Sequence, residues 1–148
     1  KTILSEHIIH EAKSLSSKIS VVKEGIIASE YGATATHDAT EGGILGAVWE
    51  VAECSKVGVE IYADEIPVLE CTKEICKAAK IDYLRLISSG TLIMTAFDGE
   101  KLVDKLKSEG INAAVIGRVT DSGRYVTFNG IRKELVPQEK DEIYRVDL

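Results

Sequence analysis

Apolar residues recur along the chain with two different spacings, and each spacing predicts a different element. Spacing of three and four residues is typical of an amphipathic helix, whereas alternation or a short apolar run is typical of a strand. The helical patterns cover residues 6–15, 21–31, 44–54, 67–80 and 98–110. The strand patterns cover residues 33–37, 57–62, 91–96 and 113–119. A hairpin is predicted at 125–136, because Asn129-Gly130 favours a type I′ turn.

The order of these elements indicates the fold. Strand–helix–strand units occupy residues 33–62 and 91–119, with a further helix between them. Right-handed crossovers place the two strands of such a unit side by side and parallel. We therefore predict one α+β domain, with a mixed sheet flanked by helices and two βαβ units, similar to an elaborated ferredoxin-like topology. A length of 148 residues suffices for a buried core. The polar tail after Pro137 is predicted to lie on the surface.

Composition and charge narrow the classes of partner. The net charge is −6 and the lysines are interleaved with acidic residues, which argues against nucleic acid. The apolar runs are shorter than the roughly 18 residues of a membrane span, and the sequence shows no secretory signal. We therefore expect no membrane partner and a cytoplasmic location.

The residues that most often carry redox or metal chemistry are unremarkable in their spacing. Cys54, Cys71 and Cys76 are odd in number and lack a C-x-x-C pair, so reduced and mostly buried thiols are predicted. His7 and His10 stand in the order H-I-I-H-E, which differs from the zinc signature H-E-x-x-H. A surface pair of histidines is predicted there, and no metal site.

The most informative segment is H-D-A-T-E-G-G at residues 37–43, between a predicted strand and a predicted helix. The first N–H groups of a helix lack internal partners, and the helix dipole attracts negative charge to them. Gly42 and Gly43 would let a ligand approach the backbone, while Asp38 and Thr40 supply oxygen atoms. The segment is therefore a candidate site for a phosphate or a nucleotide-type substrate.

A structural interpretation of the same segment stands beside this one. Asp38 or Thr40 could cap the helix, and the two glycines could simply allow close packing. Glu41 would repel an anion in the same site. On these residues alone, the structural interpretation is the stronger of the two.

Four motifs in a fixed order change this balance. They are Y-G-A-T-A-T-H-D-A-T-E-G-G-I-L-G-A at 31–47, G-V-E-I at 58–61 with I-P-V at 66–68, L-I-S-S-G-T-L at 86–92, and A-V-I-G-R-V at 114–119. Together they resemble the C-terminal domain of the aminoimidazole ribonucleotide (AIR) synthetase superfamily over about residues 20–136. The sequence D-A-T-E-G-G at 38–43 is similar to the corresponding segment in the AIR synthase-related and HypE-type hydrogenase maturation branches. Two features depart from the HypE type: Glu41 stands where arginine is usual, and the chain lacks a terminal cysteine.

The resemblance implies a function for the segment. Members of the superfamily are two-domain, ATP-dependent enzymes whose N-terminal domain binds ATP and Mg²⁺ and forms a homodimer, while the C-terminal domain closes a phosphate or substrate cleft. By resemblance, Asp38, Thr40, Gly42 and Gly43 would face the small-molecule substrate. Ser89 and Gly90, preceded by Ser88, would lie at the mouth of the same cleft. Catalytic residues stay unassigned.

The resemblance also sets expectations for the isolated chain. It begins at Lys1 rather than Met, so we expect that an ATP-binding N-terminal domain is missing from it. Alone it should then bind neither ATP nor Mg²⁺ and be inactive. The alternative is a free-standing ferredoxin-like module that senses a ligand or binds a partner.

Overall fold

Five α-helices and six strands lie within residues 4–146, the part of the chain that the computed structural model describes. The helices are α1 (Glu6–Ser14), α2 (Val22–Glu30), α3 (Gly43–Ser55), α4 (Glu70–Ala79) and α5 (Gly99–Ser108). The strands are β1 (Ala33–Asp38), β2 (Gly58–Tyr62), β3 (Leu92–Ala96), β4 (Gly117–Thr120), β5 (Arg124–Phe128) and β6 (Ile131–Glu134). Short 3-10 helices occupy Leu15–Lys18, Ala63–Glu65 and Glu142–Arg145.

The strands form two sheets. β1 and β3 make an antiparallel ribbon, and the second sheet has the order β4-β2-β5-β6. In this second sheet β2 is antiparallel to β4 but parallel to β5, and β5 is antiparallel to β6. The predicted α+β class with a mixed sheet flanked by helices is therefore confirmed.

The predicted pairing within each strand–helix–strand unit is wrong. β1 and β2 belong to different sheets, as do β3 and β4, so neither unit contains parallel neighbours. The cause lies in α3, which contributes Ile44, Leu45 and Val48 to one core cluster shared with Val59 of β2 and Ile93 of β3. Because this helix is buried against both sheets, the strands that precede and follow it end in separate layers.

A second, smaller cluster covers the other face of the ribbon. Ile27 of α2 and Leu106 of α5 are its buried residues together with Leu102, and Met94 of β3 packs against them. The predicted strand at 113–119 is shorter than expected and begins only at Gly117. Ala113 packs on this second cluster while Ile116 packs on the main core, so the segment crosses between layers.

Three local predictions, of a helix cap, a hairpin turn and mostly buried thiols, are confirmed. The Asp98 side chain caps α5 by accepting a hydrogen bond of 3.1 Å from the Lys101 N–H. The hairpin turns at Asn129-Gly130, where both residues have positive φ as a type I′ turn requires. Cys71 and Cys76 are buried and Cys54 is exposed, all three as free thiols. No helix within residues 4–146 has the length and apolar character needed to cross a membrane.

The tail after Pro137 lies mostly on the surface, as predicted, but Asp141 and Glu142 are exceptions. Leu135 is buried in the main core, and beyond Pro137 the side chains of Asp141 and Glu142 are almost fully buried, at 3% and 4% exposure. Residues 137–146, here called the C-terminal strap, fold back over the start of α3. These two acidic residues are buried because their carboxylates accept hydrogen bonds from backbone N–H groups, which the amino-acid pattern does not reveal.

Candidate functional site

The two segments that were predicted to form the site lie next to each other. The Ala39 N–H donates a hydrogen bond of 2.9 Å to the Thr91 carbonyl, and Asp38 lies opposite Leu92 where β1 pairs with β3. Just before Thr91, the chain turns at Ser88, whose hydroxyl donates to the Leu86 carbonyl at 2.7 Å. The fold thus brings residues 38–43 and 88–91 together from positions far apart in the sequence.

The candidate residues differ in what they present to solvent. The side chain of Asp38 is 64% exposed, and Thr40 and Ser89 are exposed as well. Neither Asp38 nor Thr40 caps α3 with its side chain in the described structure; α3 begins with a backbone hydrogen bond of 3.1 Å from the Gly43 N–H to the Thr40 carbonyl. The capping interpretation of these two oxygen-bearing side chains is therefore wrong, and their oxygens remain open to a ligand.

Gly43 has a packing role. It is buried with φ of +63°, and a Cβ built on it would lie 2.6 Å from the Leu86 carbonyl oxygen and 2.7 Å from that of Leu84. The next turn of α3 is joined to the same segment, because the Leu45 N–H donates to the Leu84 carbonyl at 3.1 Å. Only glycine allows this close approach between the helix start and residues 84–86.

The anion at the start of α3 is supplied by the chain itself. The Gly42 N–H donates a hydrogen bond of 2.7 Å to Oδ2 of Asp141, a residue 99 positions further along the sequence. Oδ1 of the same carboxylate accepts a hydrogen bond of 2.8 Å from the Ile143 N–H. Asp141 therefore acts as a remote helix cap, in the position where the sequence predicted an external phosphate.

Further contacts hold the strap in place. The buried Glu142 carboxylate accepts a hydrogen bond of 3.2 Å from the Asp82 N–H and forms an ion pair of 3.2 Å with Arg145. The Tyr144 hydroxyl lies 3.4 Å from a carboxylate oxygen of Glu41. The sequence analysis did not identify Asp141 and Glu142 as residues that contact the start of α3 and the Asp82 N–H, because an acidic pair in a polar tail is typical of solvated surface.

His37 connects the exposed Asp38 to α3. Its Nε2 lies 2.7 Å from a carboxylate oxygen of Glu50, and its Nδ1 lies 3.9 Å from an oxygen of Asp38. The segment 37–43 thus carries acidic groups and no lysine or arginine. It can offer oxygen atoms to a metal ion or to hydroxyl and amine donors, whereas a bare phosphate would need its charge neutralised by other groups.

The chain belongs to the family described as AIR synthase related protein, C-terminal domain, which it matches over residues 3–128. It is 31% identical over 115 residues to a candidate hydrogenase expression/formation protein of Methanocaldococcus jannaschii, with 75% of this chain and 33% of that protein covered. The resemblance read from the four motifs is confirmed, including its hydrogenase maturation branch. The region matched by the family, residues 3–128, ends before β6, so the C-terminal strap lies outside it.

Solved structures of HypE proteins have the same fold as this chain. The crystal structure of Escherichia coli HypE, a hydrogenase maturation protein, superposes with a TM-score of 0.73 at 25% identity, covering 86% of this chain and 42% of that one. A structure of HypE in complex with ATP has the same fold, with a TM-score of 0.65 at 23% identity over 78% of this chain and 38% of that one. The chain spans between 28% and 33% of the length of the curated relatives it matches.

Proposed function

We propose that this chain is the C-terminal domain of an ATP-dependent enzyme and forms one wall of a phosphate or substrate cleft. The other wall would come from a domain that binds ATP and Mg²⁺. Membership of the AIR synthase related family supports this proposal, as does the ATP bound to a HypE protein of the same fold. The chain also spans only about a third of its curated relatives, which leaves room in them for a second domain.

The observation that carries the proposal is the juxtaposition of two segments that share one open edge. Asp38 and Thr40 belong to residues 38–43, and Ser89 belongs to residues 88–91. All three are exposed, although α3 beside them is buried. Exposed polar side chains beside a rigid strand end that make no side-chain hydrogen bond in the described structure are typical of a binding surface. Gly90, also exposed, adds backbone without a side chain at the same edge.

The chemistry of this wall follows from its charge. Asp38 and Glu41 would repel a bare phosphate, so phosphoryl transfer at this edge needs a divalent cation to carry the negative charge. Asp38 would then bind the cation or a donor group of the substrate, while the Thr40 and Ser89 hydroxyls orient phosphate or substrate oxygens. Gly42 does not present its N–H group to a ligand while Asp141 occupies it. The proposal therefore rests on Asp38, Thr40, Ser89 and Gly90.

The test is a turnover measurement in the protein expressed from its complete gene. Asp38→Asn and Thr40→Val should lower ATP consumption by roughly 10²-fold with an unchanged Tm, because they remove contacts to the reacting groups without touching the core. The matched control is Thr36→Val, an exposed threonine on the same strand. Equal turnover in Asp38→Asn and Thr36→Val would refute the assignment of this edge.

Calorimetry of the 148-residue chain tests the division of labour between domains. We expect no binding of Mg²⁺-ATP that Asp38→Asn removes, because the acidic segment cannot hold the triphosphate by itself. Tight binding that is lost in Asp38→Asn would contradict the proposal and favour a self-sufficient ligand-binding module.

A further inference from the structure

An open cavity of about 690 Å³ lies between the end of α4 and the C-terminal strap. One wall is formed by Lys80, Asp82 and Arg85, and the other by residues of the strap. None of the candidate residues at 38–43 or 88–90 lines it. Its volume falls within the range of small-molecule sites in proteins, about 300–1,000 Å³.

The cavity gathers positive charge in a chain whose net charge is −6. Its lining includes four cationic side chains, Lys80, Arg85, Lys140 and Arg145. Arg145 pairs with the buried Glu142. Among the ion pairs found within residues 4–146, none involves the other three cations. Among the described residues, the Arg85 guanidinium donates a hydrogen bond only to the Val136 carbonyl, at 3.3 Å.

Three carboxylates, Asp82, Glu139 and Glu142, also line the cavity, so the four cations leave its lining with a net charge of +1. Oδ1 of Asp82 accepts a hydrogen bond of 2.9 Å from the Leu84 N–H, in a local turn. The Glu142 carboxylate accepts hydrogen bonds from the Asp82 N–H and, at 3.4 Å, from the Gln138 amide, and it forms an ion pair with Arg145. Only Glu139, exposed on the strap, is left without such a contact in the described structure.

A buried acceptor on the same wall is unsatisfied. Oε1 of Gln138 has no hydrogen-bond partner among the described residues, although it is shielded from solvent. Such an atom costs free energy unless a donor reaches it. Because the oxygens of an anion are themselves acceptors, a water molecule held beside the bound ligand would supply that donor.

We propose that this cavity binds a small polyanion that carries phosphate groups. Arginine matches phosphate with a planar fork of donors, and lysine adds point charges. The three cations without an ion pair in the described structure, Lys80, Arg85 and Lys140, therefore favour a doubly charged phosphoanion over a single carboxylate. Lys80 and Arg85 belong to the body of the domain, whereas Lys140 and Arg145 belong to the strap. The bound anion joins the two and holds the strap, with its Asp141 carboxylate, over the start of α3.

The experiment uses the 148-residue chain and inorganic pyrophosphate as the probe. Amide chemical shifts of the strap and of residues 80–85 are followed by NMR at constant ionic strength, because salt screens exposed charges. We expect saturable shifts confined to these two segments. Each exposed charge contact is worth a few-fold in affinity, so Lys80→Gln with Lys140→Gln should weaken binding by about tenfold.

The matched control is the double change Lys101→Gln with Lys107→Gln, two exposed lysines of α5 outside the cavity. It alters the net charge equally and should leave the affinity unchanged. Absence of saturable shifts, or equal loss in both double variants, would overturn the proposal. Citrate binding as tightly as pyrophosphate would overturn the assignment to phosphate. These lysines lie outside residues 38–43 and 88–90, so the outcome is independent of the proposed function.

Discussion

Replacing Asp141 by alanine tests whether the strap caps α3 as the structure shows. The carboxylate is 3% exposed and accepts two short hydrogen bonds, from the N–H groups of Gly42 and Ile143. A hydrogen bond to a charged group contributes about 1.5–3 kcal/mol, and a negative charge at a helix start adds about 0.3–1 kcal/mol. Water can replace part of this at the half-buried Gly42. We therefore expect Asp141→Ala to lower the free energy of unfolding by about 2–4 kcal/mol.

The assay is denaturation by urea, supported by the melting temperature. In a domain of this size each kcal/mol corresponds to about 2–4 °C, so the Tm should fall by about 4–16 °C. Asp141→Asn keeps one acceptor and should show an intermediate loss. Glu139→Ala, at an exposed position of the same strap, is the matched control and should stay within about 0.5 kcal/mol of the unchanged chain.

Hydrogen exchange separates loss of the cap from other causes. Without Asp141, the Gly42 amide should exchange faster than in the Glu139→Ala control, because it loses its acceptor. Equal stability of Asp141→Ala and Glu139→Ala would refute the reasoning. So would a large loss of stability with an unchanged exchange rate at Gly42, since the contact would then not be the cause.

Three other predictions follow from the structure. Gly43→Ala should destabilise by about 1–3 kcal/mol more than Gly110→Ala, since both have positive φ but only Gly43 meets backbone oxygens; equal denaturation midpoints would disprove this packing role. The hydrogen bond from Arg118 holds the pKa of Glu60 below its ordinary value. The pairing therefore stabilises the folded state fully at pH values above the ordinary carboxyl pKa, and this stabilisation is lost as the pH falls through the lowered pKa of Glu60. NMR titration measures that pKa, and an ordinary or raised value would contradict the pairing. Cys54 should react quickly with a thiol reagent, whereas the buried Cys71 and Cys76 should react only on unfolding. Burial also raises the pKa of the Cys76 thiol, which slows its reaction further. Rapid reaction of all three thiols would contradict the burial of Cys71 and Cys76.

The elements that could be predicted from the sequence depend on neighbours along the chain. Asp98 caps α5 through a contact three residues away, and Asn129-Gly130 turns the hairpin by its own backbone preference. The stripe of Ile44, Leu45 and Val48 marked α3 as a core helix before its partners were known. These features need no knowledge of what packs on them.

The candidate site was only partly predictable. Motif order indicated the family and pointed to residues 38–43 and 88–90, and the fold brings these two segments together. Their binding role stays a prediction. The sequence could not show that Gly43 faces the carbonyls of residues 84–86, because the partner is backbone that carries no sequence signal.

The amino-acid sequence by itself determined the class of fold, the positions of most helices and strands, and the family. Tertiary structure alone decided which strands pair and which group meets the start of α3. Strand pairing depends on α3 being buried against both sheets, and the helix cap comes from a carboxylate 99 residues away. Local preference acts over a few residues, whereas burial of a charge such as Asp141 is favourable only once the folded chain brings unpaired N–H groups to it.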